Sequence, residues 1–413
     1  MLTGNLRLIA LALVALPAFA QQPDIQATFM VDGSQVKDEN RSHVSLEALK
    51  ANSSVVYAYN GTSLNMYWVR MNKTAGSSKN PDRLETGVNS VFIADGGSKV
   101  EIESCEVVSH VDNSDGVTAT GNGTSVIVNE GKISMYKDFS AAIYSMKGGE
   151  ITVNETDIAT NLKQSPLFRT GVGGIVNANK AVGSTSGIES AAFHSMGRIH
   201  AIGCRTTSEL SPIGHVVAGG IIELEKSELK QLDGPCGFLA YGGNGSDQAE
   251  VSLTGNKLSV KKGPLFMVRN SKVKILLEGN SISQADECIL NAKGADVTFA
   301  IEKQRAKGII VTDSICSLNL SLGKDVQFDG EVNANGNDQA VVRISLAHGA
   351  LWQLTGDSHV TSLDFTDPLA KGLKQIKGKY NLYYNAADPA NSALEGKEYN
   401  LGGGLTFLYL RIM

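Results

Sequence analysis

The sequence lacks several features that would place it in a familiar class. After the first twenty residues no uninterrupted apolar run approaches eighteen residues, so no membrane-spanning helix is predicted. Charged residues make up 19% of the chain and the net charge is −5, which argues against nucleic acid or an anionic membrane as a partner. Proline is scarce (9 residues) whereas glycine is abundant (44), a balance typical of β-rich extracellular proteins.

The first twenty residues have the pattern of a secretory signal peptide. Arg7 supplies the positive charge, Leu8 to Ala15 form an apolar run, and Ala18-Phe19-Ala20 is a small-x-small cleavage site. We therefore expect residues 1–20 to be removed and the mature chain to be secreted, either extracellular or associated with a cell surface.

Asn-x-Ser/Thr sequons mark candidate sites of N-glycosylation in a eukaryotic secretory pathway. They begin at Asn40, Asn52, Asn60, Asn72, Asn122, Asn154, Asn244 and Asn319. In a bacterial protein the same tripeptides would carry no meaning, and the sequence does not reveal its source.

A self-similar element recurs every 21 to 29 residues through the middle of the chain. It has two apolar residues two positions apart and another about seven residues after the first, as in Val100-x-Ile102 with Val107. Copies start at Val126, Ile151, Ile199, Ile222, Val251 and Ile275. Period-2 alternation between glycine-rich turns is typical of strands with one buried face. The repeat predicts an all-β, right-handed parallel β-helix of roughly a dozen coils.

Other repeat folds fit less well, because a leucine-rich repeat needs a Leu-x-x-Leu-x-Leu frame and a two-sheet sandwich would not repeat. We expect one domain with end caps: an N-terminal cap at 21–53, the β-helix at 54–364 and a C-terminal capping segment at 365–413. Residues Ser45 to Lys50 are expected to form a short helix within the first cap.

The position five residues after each strand start is small or polar in nearly every copy. It holds Cys105, Gly131, Thr156, Cys204, Ser227, Asn256 and Asn280. In a solenoid such a column predicts a ladder in which side chains bond the turn backbones of neighbouring coils.

The cysteines, five in number, match no zinc or redox spacing. Cys105 and Cys204 lie about four coils apart, and Cys236 and Cys288 two coils apart, beyond the roughly 7 Å reach of a disulfide. A bridge between Cys288 and Cys316 stays open at this point.

The coil pattern resembles the pectin-lyase-like superfamily of right-handed β-helices. It is closest to uncharacterised secreted or autotransporter-passenger-like members without catalytic activity. The segment from Trp352 to Leu363 resembles the Trp-x-Leu-Thr-Gly-x-Ser-x-Val-x-x-Leu coil found late in such passengers. The resemblance implies the architecture and is nearly silent on activity.

Enzymes with this fold cleave polysaccharides, and their motifs are not reproduced here. Hydrolysis needs paired carboxylates, whereas Arg198-Ile199-His200 and Gly214-His215-Val216 only approximate hydrolase motifs, in reverse order and without acids. Asp112 and Asp115 form a compact acidic pair, which we interpret as a solvated turn rather than a calcium site. No catalytic residue, metal site or cofactor is predicted.

One outward-facing column suggests a binding surface. It contains Tyr144, Arg169, His194, His215 and Phe238, and adjacent members would lie about 5 Å apart. Aromatic rings stack on sugar faces, and Arg or His bonds hydroxyls or carboxylates. The sequence thus favours a non-enzymatic scaffold that binds a polysaccharide or a cell-surface ligand. The alternative is a polysaccharide lyase or hydrolase acting on uronate-containing cell-wall polymers. Oligomeric state stays open.

Overall fold

The computed structural model describes residues 25–242, 247–337, 339–401 and 409–412. The predicted signal peptide at 1–20 and the sequon at Asn244 lie outside these residues. Within them the chain is nearly all β and forms a parallel solenoid of about 14 turns, which confirms the predicted right-handed parallel β-helix.

Three long sheets run along the solenoid, and most coils contribute one strand to each. The first sheet contains Gln26–Asp32, Ser53–Tyr59, Phe92–Ala94, Val117–Thr120, Ile143–Met146, Phe168–Thr170, Phe193–Ser195, Gly214–Val217, Phe238–Tyr241, Phe266–Arg269, Cys288–Lys293 and Ile309–Thr312. The second contains Asp38–Ser42, Ser63–Tyr67, Lys99–Glu103, Ser125–Asn129, Glu150–Asn154, Ile175–Asn179, Arg198–Ile202, Ile221–Glu225, Ala249–Thr254, Lys272–Glu278, Asp296–Glu302, Ser317–Leu322, Val341–Leu346 and Ser362–Phe365. The third contains Ser45–Ala48, Arg70–Lys73, Glu106–Ser109, Lys132–Met135, Asp157–Thr160, Val182–Thr185, Arg205–Ser208, Glu228–Gln231, Lys257–Val260 and Ser281–Gln284.

Two smaller sheets lie toward the C-terminal end. One contains Arg305–Lys307, Gln327–Gly330, Leu351–Leu354 and Ile376–Gly378, and the other contains Ser358–Val360, Leu382–Tyr384, Tyr409–Ile412 and Tyr399–Asn400. Short helices are found at Arg83–Thr86 and Leu369–Gly372, and 3-10 turns at Leu373–Gln375 and Pro389–Leu394. The strands at Tyr399–Asn400 and Tyr409–Ile412 pair antiparallel, in contrast to the parallel stacking of the coils.

The sheets continue into both segments that the sequence predicted as caps. Gln26–Asp32 pairs with Ser53–Tyr59, and Leu351–Leu354 pairs with Ile376–Gly378. The helix predicted from Ser45 to Lys50 is wrong, because Ser45–Ala48 is a strand of the third sheet. Its register with Arg70–Lys73 is maintained by stacking, which outweighs local helix propensity.

The interior is a continuous apolar column, since alternate residues of most strands point inward. Phe168 and Phe193 stack with ring centroids 5.4 Å apart, and Phe238 and Phe266 follow at 5.6 Å. Gly214 occupies the coil between these two pairs, where a Cβ atom would lie 2.6 Å from the Phe238 ring. The glycine therefore makes room for a neighbouring aromatic ring.

Two polar ladders satisfy the backbone where the coils turn. In one, predicted from the sequence, the N–H groups of Cys204, Ser227, Asn256 and Asn280 donate to side-chain oxygens of Ser227, Asn256, Asn280 and Gln304 on the next coil. In the other, the N–H groups of Ser114, Ser140, Ser165 and Ser190 donate to the hydroxyls of Ser140, Ser165, Ser190 and Ser211. Buried turn backbones thus gain partners that water would otherwise supply.

The cysteines all lie in described parts of the chain and none is bridged. The Cys288–Cys316 pairing left open by the sequence is therefore not formed. Burial raises the pKa of the Cys236 thiol to about 12 and that of Cys204 to about 11, so both are inert apolar fillers at neutral pH.

Replacing Asn256 with Ala tests the ladder. The substitution leaves the Ser227 N–H and the Leu224 carbonyl without their partners at a site only 2% exposed. We expect the free energy of unfolding in urea to fall by about 2 kcal/mol. The matched change Asn122→Ala, in an exposed turn, is expected to alter it by less than about 0.5 kcal/mol. Equal effects at the two positions would contradict the ladder's role.

Candidate functional site

An excursion between the strands Arg70–Lys73 and Phe92–Ala94 covers part of the first sheet's outer face. It carries the helix Arg83–Thr86. The Tyr144 hydroxyl donates to the Leu84 carbonyl at 2.6 Å, and the hydroxyls of Ser90 and Thr118 lie 2.8 Å apart. Tyr144 is consequently only 3% exposed, so the excursion, and not a ligand, covers this part of the predicted column.

Beneath the excursion lies a buried ion pair. Arg83 and Asp115 approach to 4.0 Å, and Asp115 also accepts a hydrogen bond from the Ala141 N–H at 2.8 Å. The solvated turn predicted for Asp112 and Asp115 is wrong for Asp115, which is 3% exposed. Burial raises the pKa of its carboxyl, and the charges of Arg83 and Arg169 oppose that shift.

The strand register brings together most of the predicted binding column. Tyr144, Arg169, His194 and His215 occupy equivalent positions on four successive coils. The next member is Leu239, because Phe238 pairs with Gly214 and points into the core. The prediction that Phe238 faces outward is wrong by one residue: it is 2% exposed and packs on the Phe266 ring.

A cleft of about 460 Å³ lies over the exposed part of this column, and we call it the Arg169 cleft. Arg169, His194, His215 and Leu239 form its floor. Its walls are mainly apolar, lined by Pro166, Ile188, Ala191, Leu210, Pro212 and Pro235. In the sequence each of these wall prolines follows a serine or a glycine. This recurring dipeptide is visible in the repeat, but the wall was not predicted from it.

The excursion borders a second cleft of about 520 Å³, which shares Arg169 with the first. Leu84 and Glu85 line it from the excursion, and Tyr144 and Val172 from the coils. Glu85 pairs with Lys147 at 3.0 Å. Arg169 therefore lies between two depressions on one face of the solenoid.

The floor of the Arg169 cleft is basic and incompletely bonded. The Arg169 guanidinium carbon lies 4.8 Å from the Tyr144 ring centroid, and the rings of His194 and His215 are 4.7 Å apart. Arg169 Nε and His215 Nε2 are buried and have no hydrogen-bond partner among the described residues. Leaving such buried polar atoms unpartnered costs free energy unless a ligand or water bonds them.

The two histidines are held neutral. Burial, followed by the positive charges of His215 and Arg169, lowers the pKa of His194 well below 6.5. Burial alone lowers the pKa of His215. At neutral pH the floor thus presents one permanent charge, from Arg169, and two imidazoles that can each donate or accept one hydrogen bond.

Comparisons of the chain with protein-family models, curated proteins and solved structures found no match.

No cluster of three or more His, Cys, Asp or Glu side chains able to hold a metal ion occurs in the described part of the chain. No helix among those residues is long and apolar enough to cross a membrane.

The sequons occupy different environments. Asn40, Asn52, Asn60 and Asn122 are exposed, whereas Asn72, Asn154 and Asn319 are partly buried. Asn154 belongs to an amide ladder on the second sheet: its Nδ2 donates to Asn129 at 2.8 Å and its Oδ1 accepts from Asn179 at 2.8 Å. Occupancy by glycans stays a prediction.

Acid should destabilise the fold through the cleft histidines. Because the folded-state pKa of His194 lies below its unfolded value of 6.5, the unfolded chain binds more protons as pH falls below 6.5. The stability present above pH 6.5 is then lost toward the lowered pKa. Urea unfolding across this range should show a smaller loss for His194→Gln than for the parent chain. Parallel curves for the two would contradict the burial effect, and His110→Gln, at an exposed histidine, is the control.

Proposed function

We propose that this protein is a secreted or cell-surface β-helix that binds an anionic ligand in the Arg169 cleft without transforming it. The ligand is an acidic polysaccharide or another cell-surface molecule carrying carboxylate or sulfate groups. We further propose membership of the pectin-lyase-like superfamily, on the coil pattern and the Trp352 to Leu363 segment.

The observation that carries this proposal is the orphaned basic floor. Arg169 Nε is buried without a partner in the described part of the chain, and the column around Arg169 places His194 and His215 on the next two coils. A planar guanidinium favours carboxylate and sulfate because two N–H groups can bond two oxygens at once. An anion here would also relieve the repulsion that disfavours protonated histidine.

Ring stacking contributes less than the sequence suggested. The Tyr144 ring is covered by the excursion, and the Phe238 ring lies in the core. Contact with the ligand's apolar face instead falls to Pro166, Pro212 and Leu239 on the wall and floor. We therefore expect charge to dominate recognition, with the apolar wall excluding water from the ion pair.

Retention on an array of acidic and neutral polysaccharides tests the proposal. The triple variant Arg169→Ala, His194→Ala, His215→Ala should lose at least about tenfold in affinity for acidic polymers, because charge-assisted hydrogen bonds disappear. Arg343→Ala, at an exposed arginine of the second sheet, is the matched control and should bind as the parent does. Undiminished retention of the folded triple variant would refute the assignment of the site.

A lyase acting on uronate polymers is the second candidate, supported by the neutral His194 beside Arg169. A neutral imidazole can accept the proton at C5 of a uronate while an arginine stabilises the carboxylate. Hydrolysis is less well supported because it needs two carboxylates. Among the described residues that line the cleft, Glu189 is the one carboxylate, and it pairs with Lys163 at 3.5 Å.

Incubation with uronate polymers, with and without calcium, distinguishes the two candidates by the absorbance of unsaturated chain ends. We expect no product under either condition. Product formation that His194→Gln abolishes and His110→Gln preserves would establish the lyase instead.

A further inference from the structure

On the outer face of the third sheet, one column of residues carries charges whose signs invert about its central residue. The first residue of each strand points outward, and seven successive coils place there Glu106, Lys132, Asp157, Val182, Arg205, Glu228 and Lys257. We call this surface the Val182 face. A residue that lies a given number of coils before Val182 has the opposite charge to the residue that lies the same number of coils after it.

We propose that the Val182 face binds a second copy of this chain in an antiparallel, two-fold symmetric dimer. The two-fold axis runs along the strand Val182–Thr185, between the two facing sheets. This rotation reverses the solenoid direction but keeps each position along the strand, so the charged column of one copy faces the same column of its partner. Asp157 then faces Arg205 of the partner subunit, and Lys132 faces Glu228 of the partner subunit.

The charge order selects this register over its neighbours. With the axis at Val182 an exposed valine meets itself, and Glu106 meets Lys257 of the partner subunit as a third opposite pair. A shift of half a coil toward Asp157 sets Lys132 against Arg205, and a half-coil shift the other way sets Asp157 against Glu228. Both are like-charge contacts, which discriminate against wrong registers.

The neighbouring outward column permits close approach. It contains the small side chains Ser134, Ala159, Ser184 and Thr207, followed by Lys230, and with the charged column it lines a shallow trough of about 360 Å³. Under the same rotation Ala159 faces Thr207, Ser184 faces itself, and Ser134 faces Lys230 of the partner subunit. Each pair includes at least one small side chain, and none joins like charges.

Some of the charges already have weak partners in their own chain. Glu106 lies 3.2 Å from Arg70, and Glu228 lies 3.0 Å from Lys230. These exposed pairs are worth little, so the carboxylates are still free to bond across an interface. Lys132, Asp157 and Arg205 are all exposed.

The size of the face sets the strength of the dimer. Seven coils span about 29 Å, and a four-residue strand about 13 Å. That footprint is below the roughly 800 Å² per partner of a standard interface. We therefore infer a reversible dimer that forms at micromolar or higher concentration and weakens as salt screens the ion pairs.

A charge swap tests the pairing directly. In sedimentation equilibrium at low ionic strength, Lys132→Glu should weaken dimerisation at least about tenfold, since it creates two symmetric like-charge contacts. Adding Glu228→Lys to that variant should restore it. Within one chain these residues are four coils, about 19 Å, apart, so restoration must act between copies. Lys324→Glu, an exposed lysine away from the face, is the control and should leave association unchanged.

The second swap, Asp157→Arg with Arg205→Asp, repeats the test at the inner pairs and guards against a folding defect in the first. The proposal is supported if the parent chain dimerises, each single charge reversal weakens the dimer, and both double swaps restore it. A parent chain that stays monomeric at about 100 µM in low salt overturns it. So do single reversals without effect, or swaps of folded protein that fail to restore association. The proposal is independent of the Arg169 cleft, which lies on a different sheet.

Discussion

In-register stacking of one coil on the next is the constraint on which the rest of this structure depends. Strands as short as Phe168–Thr170 cannot bury an apolar face alone, so each uses the coils above and below as its walls. A slip of one residue would turn every interior side chain outward. The serine and asparagine ladders oppose such a slip, because their side chains reach one particular N–H on the adjacent coil. Apolar burial supplies the driving force, and the ladders help to fix the register.

The same stacking explains what the sequence could predict and where it misled. Apolar residues two apart, recurring at nearly constant spacing, predicted the interior and the ladder because both follow directly from the repeat. Phe238 was misplaced because the coil that contains it has one extra residue between Gly234 and the strand. The sequence has glycine at positions 214 and 237, so alignment of the repeats by residue type paired Gly237 with Gly214. The backbone instead aligns Phe238 with Gly214, where the missing side chain makes space for the ring.

The contacts that the excursion makes could not be predicted from the repeat. Arg83 and Asp115 belong to different coils and to no shared pattern, yet they form a buried pair beneath the helix Arg83–Thr86. The excursion covers Tyr144, and this changes the chemistry of the whole face. Without an available ring, the surface exposes arginine, imidazole and proline, a combination suited to anions and less suited to sugar stacking. An irregular segment thus determines which part of a regular column is a site.

Stacking places equivalent residues of adjacent coils roughly 4.8 Å apart, and the outer faces of the first and third sheets carry different arrangements of charge at this spacing. Like charges on adjacent coils repel, and the third sheet avoids most of this because Lys132, Asp157, Arg205 and Glu228 alternate in sign around Val182. The first sheet has no such relief: Arg169, His194 and His215 follow one another without an intervening acid. The histidines stay neutral, and Arg169 Nε has no hydrogen-bond partner among the residues that the structure describes. Stability alone would not select that arrangement, since a single acid in the column would remove the conflict. Within the described ranges, Asp115 is the one acid whose charge is felt by Arg169, and it is shared with Arg83. An arginine with two neutral histidines inside an apolar cleft therefore supports the proposed binding of an external anion.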